Sequence, residues 1–192
     1  RGIEAMTEKI KVATASLCGC FGCHMSLLDI DERILDLVQL VEFDRSPITD
    51  IKTVGDCDIG IIEGGVANAE NVEVLREFRE HSKILVALGA CAVNGGIPAM
   101  RNQFPLEAVF DRAYRETVDV NPLTPSNRVP ELFEKVRPVH GVVDVDVFVP
   151  GCPPSADAIW YVLNELIAGR DDPDRGRAVF AGGRDLCRVR RG

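Results

Sequence analysis

The chain of 192 residues, 46% of them hydrophobic, is long enough to bury a real core in one domain. Its 22 Lys and Arg against 30 Asp and Glu leave a net charge of -8, which repels phosphate backbones and anionic lipid, so nucleic acid and membrane surfaces are poor partners. Seven cysteines are an odd count for a disulfide framework, the opening RGIEAMTEKI has neither an apolar signal core nor a twin-arginine pair, and no apolar run approaches the ~20 residues of a membrane helix; the reading is a soluble, cytoplasmic protein with reduced thiols.

Taken in order, apolar runs of strand length alternate with amphipathic stretches. Lys9 to Leu17 reads as a first strand, Ser26 to Leu37 carries apolar residues at helical spacing, and Val38 to Phe43 reads as a second strand. Asp58 to Ile62 is a third; the polar-faced helix that follows, Asn68 to Ser82, has Asn68 or Asn71 for its N-cap. Lys83 to Leu88 is a fourth strand and Val143 to Val149 a fifth, before a helix from Ser155, its N-cap, to Ala168, stopped by Gly169. Five strands joined by crossover helices predict an α/β fold with a doubly wound, mostly parallel sheet, flavodoxin-like, in the order 2-1-3-4-5.

From Gly95 to Pro138 the rhythm breaks: Pro98, Pro105, Pro122, Pro125, Pro130 and Pro138 leave room for one short helix near Leu106 to Tyr114, and the stretch reads as a partner-contacting or mobile excursion. The chain therefore divides into a flavodoxin-like domain over 1–170 and a charged, solvated tail over 171–192, locally basic through Arg184, Arg188, Arg190 and Arg191.

In an open parallel sheet, ligands bind beyond the carboxyl ends of the strands. Cys20 and Cys23 (CFGC) follow the first strand, Glu63-Gly64-Gly65 the third, Cys91 (GACA) the fourth and Cys152 (PGCPP) the fifth, so one edge collects four thiols from three loops. Four such thiolates are the usual cage of an iron–sulfur cluster, and the glycines among them, Gly64 and Gly151 included, suit a backbone that must pass close to an inorganic core. C-x-x-C alone also serves zinc sites and redox disulfides, but a thioredoxin-type dithiol leaves Cys91 and Cys152 idle, and zinc favours a second C-x-x-C or paired histidines. Cys18 lies close enough to compete as a ligand; Cys57, which precedes the third strand, belongs to the opposite edge as a small buried hydrophobe; Cys187 sits in the basic tail. His24 adjoins a ligand and either tunes the site or packs at a helix start, while Glu63 either holds a proton or anchors a loop. No Ser/His/Asp triad or Walker loop is present, and a flavodoxin-like FMN module would want a phosphate-cradling Ser/Thr/Gly loop where SLCGCFGC stands.

CFGCHMSLLD (Cys20 to Asp29), EGGV (Glu63 to Val66), GACA (Gly89 to Ala92) and PGCPPSADAI (Pro150 to Ile159) together resemble the small subunit of nickel–iron hydrogenases, over about Lys9 to Arg170. The resemblance implies that Cys20, Cys23, Cys91 and Cys152 ligate one proximal 4Fe-4S cluster; by their positions in the sequence, Cys18, His24, Glu63, Gly64 and Gly151 are the candidates to surround it. It also implies that the nickel–iron centre belongs to a separate large subunit and that this chain relays electrons and carries no catalytic residue. The absence of a twin-arginine leader and of a cysteine/histidine-rich segment after Arg170 resembles the NAD-reducing, bidirectional subgroup, whose diaphorase partners carry further iron–sulfur clusters, FMN and an NAD site. Cofactor-420-linked and heterodisulfide-linked hydrogenase subunits are close alternatives, as are the related quinone-reductase (complex I) subunits, although those have adjacent cysteines in the first motif, where Gly19 here separates Cys18 from Cys20.

Overall fold

The computed structural model describes residues 9–116 and 124–169, and the backbone of 178–181 and 185–186. Its elements are β1 (Ile10–Ser16), α1 (Gly22–Leu28), α2 (Ile34–Leu40), β2 (Val41–Phe43), β3 (Cys57–Glu63), β4 (Val66–Asn68), α3 (Ala69–His81) and β5 (Ser82–Leu88), followed by α4 (Gly89–Asn94), α5 (Leu106–Phe110), β6 (Leu132–Arg137), β7 (Val147–Val149), α6 (Ala156–Ile167), β8 (Ala178–Ala181) and β9 (Asp185–Leu186). The strands line up as β2-β1-β3-β5-β7-β8-β9, parallel from β2 through β8 and antiparallel only at the last pair. The five strands read from the sequence thus stand in the expected 2-1-3-4-5 order.

Both faces of this sheet are apolar, as a parallel sheet requires. Val12, Ile59, Ile61, Val86 and Leu88 point to one face and meet Leu27, Leu37, Ile159, Val162 and Leu166 of α1, α2 and α6. Their neighbours Ala13, Ala15, Ile62, Leu85 and Ala87 point to the other and meet Leu75 and Phe78 of α3 and Ala92 of α4. Each large side chain so buried stabilises the fold by about 1.5–3 kcal/mol. The helix caps follow the sequence: the Asn68 side chain accepts a hydrogen bond from Asn71 N, Ser155 accepts one from Ala158 N, and Gly169 takes φ 60 after α6.

Some boundaries differ from expectation. The stretch expected as one helix from Ser26 to Leu37 is broken after Leu28, where Asp31 takes φ 60, a left-handed backbone that Asp tolerates better than most residues. Leu27, Ile30, Ile34 and Leu37 keep helical spacing through the break, which hides it from periodicity. The second strand shortens to Val41–Phe43 because Val38 to Leu40 still belong to α2, and the fifth shortens to Val147–Val149. Part of the region read as a solvated tail carries strand backbone: β8 pairs parallel with β7 through Val147 and Phe148. Cys187 and the arginines 184, 188, 190 and 191 lie outside the described residues.

The described parts of the proline-rich excursion are tied down, and residues 117–123 lie outside the described residues. β6 pairs antiparallel with β4, Val66 against Arg137 and Asn68 against Leu132. The expected short helix near Leu106 appears as α5, extended by a π-helical turn over Asp111–Arg115. Ahead of it runs a 3-10 helix, Pro98–Gln103. Asn102 grips Val136 of β6 twice, donating from Nδ2 to its carbonyl and accepting from its amide, each at 2.8 Å.

Candidate metal centre

Each candidate ligand sits where a strand of the main sheet ends. Cys20 lies in the turn from β1 into α1, Cys23 in the first turn of α1, Cys91 in the first turn of α4 directly after β5, and Cys152 just past β7. The structure brings these loops together at one rim. Ala90 N donates to Gly151 O at 2.7 Å, joining the Cys91 and Cys152 loops. Burial pushes the Cys23 thiol up to about 12, and Glu63, then Cys91 and Cys20, add to it by repelling a thiolate there. Burial also raises Cys91, with Cys152, Cys20 and Cys18 crowding it and a hydrogen bond from the Ile97 backbone opposing. Thiols that resist ionisation because they are buried, and crowded by other acidic groups, give up their protons when a metal compensates the charge. Cys20 and Cys152 are exposed, Cys23 and Cys91 half-buried.

Cys18 arrives at the same place by its backbone: its amide and carbonyl pair with Gly65 at 3.0 and 2.8 Å, and its half-buried thiol lies near Arg101 and Cys91. Cys57 lies at the start of β3, on the opposite edge, buried with its Sγ 3.3 Å from Ser82 Oγ.

Two glycines set how closely the loops approach. Gly89 has φ 85, and a Cβ there would collide with Cys23 Sγ. Gly64 has φ 85, and a Cβ would lie 2.8 Å from the Leu17 carbonyl carbon and 2.9 Å from Cys18 N. Both positions exclude a side chain by backbone conformation and by space together.

Glu63 and His24 are the buried titratable pair of the rim, 2% and 1% exposed. The N-cap of α1 is Phe21, which offers no side-chain hydrogen bond and takes φ 66, a conformation that costs a bulky residue of order 1–3 kcal/mol. Two contacts offset that cost. Glu63 Oε2 accepts from His24 N at 3.1 Å, supplying from β3 the acceptor and the negative charge that a helix start wants. The Phe21 ring lies flat on the imidazole, centroids 4.6 Å apart and planes within 2°. Ser16 donates to Glu63 Oε1 at 2.6 Å, and His24 Nδ1 lies 3.3 Å from the same oxygen without hydrogen-bond alignment, so that contact is electrostatic. Burial works against ionisation of Glu63, but the hydrogen bonds from His24 and Ser16 outweigh it and hold the carboxyl below its usual range. His24 Nε2 reaches Thr14 Oγ1 at 2.9 Å, and Thr14 reaches Ser46 Oγ at 2.7 Å. Thr14, Ser16 and Ser46 were not singled out from the sequence. For Thr14 and Ser16 the readable signal is a hydroxyl within an otherwise apolar strand; Ser46 lies in the loop after β2.

The residues fit an iron–sulfur cluster: soft thiol donors from three loops, two of them open to solvent, around a backbone stripped of side chains at Gly64 and Gly89. As they stand, no three His, Cys, Asp or Glu side chains among the described residues are grouped closely enough to hold a metal ion.

Comparison with known proteins agrees with this chemistry. A family model described as the NADH ubiquinone oxidoreductase 20 Kd subunit matches residues 20–166. The chain is 49% identical over 170 residues to the delta subunit of the NAD-reducing hydrogenase HoxS of Cupriavidus necator, covering 84% of this chain and 80% of that one. It is 40% identical over 172 residues to one subunit of the F420-non-reducing hydrogenase of Methanothermobacter marburgensis, covering 86% of this chain but only 56% of that protein. Among solved structures, a chain of the NAD+-reducing [NiFe]-hydrogenase in the H2-reduced state superposes with a TM-score of 0.81 at 54% identity, covering 85% of this chain and 94% of that one. A chain of the [NiFeSe]-hydrogenase of Dm. baculatum, at 20% identity and a TM-score of 0.58 over 87% of this chain and 65% of that one, shares the fold.

Proposed function

Because this chain belongs to the NADH ubiquinone oxidoreductase 20 Kd subunit family, and its similarity to the HoxS delta subunit runs through most of both chains, we propose that it is the electron-transfer small subunit of an NAD-reducing nickel–iron hydrogenase. The nickel–iron centre lies in a large subunit, and diaphorase subunits with iron–sulfur clusters, FMN and an NAD site receive the electrons. Cys20, Cys23, Cys91 and Cys152 would hold a single proximal 4Fe-4S cluster, which when bound accepts and passes on one electron at a time. The observation that carries this reading is the arrival of these thiols from three separate loops on one rim, two of them facing outward.

The chain's own residues then have defined tasks. Glu63 and Ser16 fix the start of α1 and with it Cys23. His24, pinned between Glu63 and Thr14, keeps the interior beneath that loop polar and filled. The Gly89 and Gly151 backbones bring the Cys91 and Cys152 loops into contact. Among the described residues no helix is long and apolar enough to cross a membrane. A complex that reduces NAD must face the compartment that holds it, so its place is the cytoplasm.

The test is spectroscopic and uses the whole complex. Reduction by hydrogen should change an iron–sulfur signal assignable to this chain, and NADH should produce the same change from the other direction. A complex that reduces NAD with hydrogen while a Cys91→Ser variant keeps that signal and that rate would overturn the assignment.

A further inference from the structure

The thiol rim carries charge of both signs. Glu63 is the acid beneath Cys23, and its negative charge disfavours a thiolate there. Arg101 is the base beside Cys18, and its guanidinium favours a thiolate against the burial that opposes one. Backbone contacts build the position of Arg101. Its two terminal nitrogens donate to the Phe133 and Glu134 carbonyls of β6 at 2.8 and 3.1 Å. The next residue, Asn102, bonds Val136 in both directions, and Val136 lies against Gly65: a Cβ there would come within 2.9 Å of Val136 Cγ1 and 3.4 Å of Cys91 O. Gly65 in turn pairs with Cys18. Ahead of Arg101, the Ile97 backbone hydrogen-bonds the Cys91 thiol, and a Cβ on Gly96 would lie 2.8 Å from Cys91 Sγ. The segment that carries Arg101 is thus fastened to the rim on both sides of it. Its charge is also held differently from most. Arg33, Arg45, Arg79, Arg112 and Arg115 each pair with a carboxylate. The groups that grip Arg101 are neutral carbonyls, and the Glu134 carboxylate accepts from Leu106 N instead. Carbonyls fix a guanidinium in place and leave its charge standing.

We propose that Arg101, held at the rim by the β6 carbonyls and by Asn102, raises the reduction potential of the redox unit that Cys20, Cys23, Cys91 and Cys152 enclose. The proposal deepens the function proposed above and rests on it. Taking up one electron makes an iron–sulfur unit one charge more negative, so a fixed cation beside its ligands favours the reduced form and a carboxylate favours the oxidised one. Glu63 and Arg101 therefore pull the potential in opposite directions. Arg101 acts through this field alone and touches none of the reacting molecules.

The experiment is a redox titration of the whole complex, followed by the spin-resonance signal of this chain, with iron counted on the same samples. At the potential where the unchanged unit is half reduced, Arg101→Gln should lower the ratio of reduced to oxidised form roughly tenfold, a downward shift of about 59 mV for one electron, with its iron retained. Arg101→Met removes the charge with different packing and should give the same shift. Arg101→Lys keeps the charge but loses the planar fork, and should recover most of the unchanged potential. Arg137→Gln removes an exposed cation of β6 that stacks on Phe133 and should move the potential far less. An unshifted potential in Arg101→Gln or Arg101→Met with iron in place would overturn the proposal. So would a shift in Arg101→Lys as large as in Arg101→Gln, an equal shift in Arg137→Gln, or loss of iron from both uncharged variants, which would make the residue a prop of the loop. Each of these outcomes leaves the functional reading standing. An unchanged complex with no iron–sulfur signal on this chain would overturn that reading and the role of Arg101 with it.

Discussion

The two edges of the sheet use cysteine in opposite ways. At the carboxyl-end rim, Cys20, Cys23, Cys91 and Cys152 are half-buried or exposed, lie among glycines and crowd one another. At the amino-end edge Cys57 is alone, 3% exposed, its sulfur against Ser82. Residue type is the same; what differs is where the strand direction places it. Parallel strands end together, and loops that leave them together can share a ligand, whereas a cysteine that begins a strand has only core to pack against.

The sharpest break in this comparison is exchange of sulfur for oxygen at each edge. Cys91→Ser or Cys152→Ser should abolish hydrogen-dependent NAD reduction and empty the chain of iron; Cys57→Ser should leave both intact. Equal damage from Cys57→Ser would mean that edge position does not distinguish ligands from packing. Next in size is Gly89→Ala. It places a methyl against Cys23 Sγ at a backbone φ of 85, and should cost about 1–2 kcal/mol in backbone strain alone and lower the iron content of the purified complex. Gly169→Ala, at φ 60 with nothing within 4 Å, bears the strain without the collision and should keep its iron. Thermal unfolding and iron assays on both variants separate the two contributions.

Smaller effects belong to the amino-end edge. Cys57→Ser should lower stability by about 1–2 kcal/mol, because a smaller and more polar hydroxyl replaces the sulfur in an apolar site whose polar contacts are the Ser82 hydroxyl and the Ala13 backbone; a melting curve reads this. Asp58 is held below its usual range, since hydrogen bonds from Lys83 Nζ at 2.6 Å and Lys11 N at 2.9 Å outweigh the opposing effect of burial. A depressed carboxyl stabilises above its unfolded pKa and loses that contribution as pH falls through the folded value. Acid titration of stability should therefore be flatter for Asp58→Asn, by less than about 1 kcal/mol for so exposed a pair. An identical acid limb would remove the pair from the account.

The order of the central strands and the collection of Cys20, Cys23, Cys91 and Cys152 at one edge were legible because both follow from local signals: apolar runs of strand length, turns rich in glycine, and the rule that parallel strands share a ligand edge. The β4–β6 pair was not, because its partners lie more than sixty residues apart in the chain and a strand as short as Val66–Asn68 carries no period. The break at Asp31 was masked by apolar residues that keep helical spacing across it. The polar network beneath Cys23 was half legible: Glu63 and His24 stood out as titratable groups at the rim, but the roles of Ser16 and Thr14 depend on the register that sets Ser16 beside Glu63, which single-strand patterns do not contain.

The central claim is that four thiols on one rim enclose one redox unit of iron and sulfide. Iron and acid-labile sulfide should be counted on this chain separated from its partners without exposure to oxygen, in parallel for the unchanged protein and Cys152→Ser. The account predicts about four of each in the unchanged chain, as a 4Fe-4S cluster requires, and a loss of both in the variant. Zinc in place of iron, iron without sulfide, or a full complement in Cys152→Ser would contradict it.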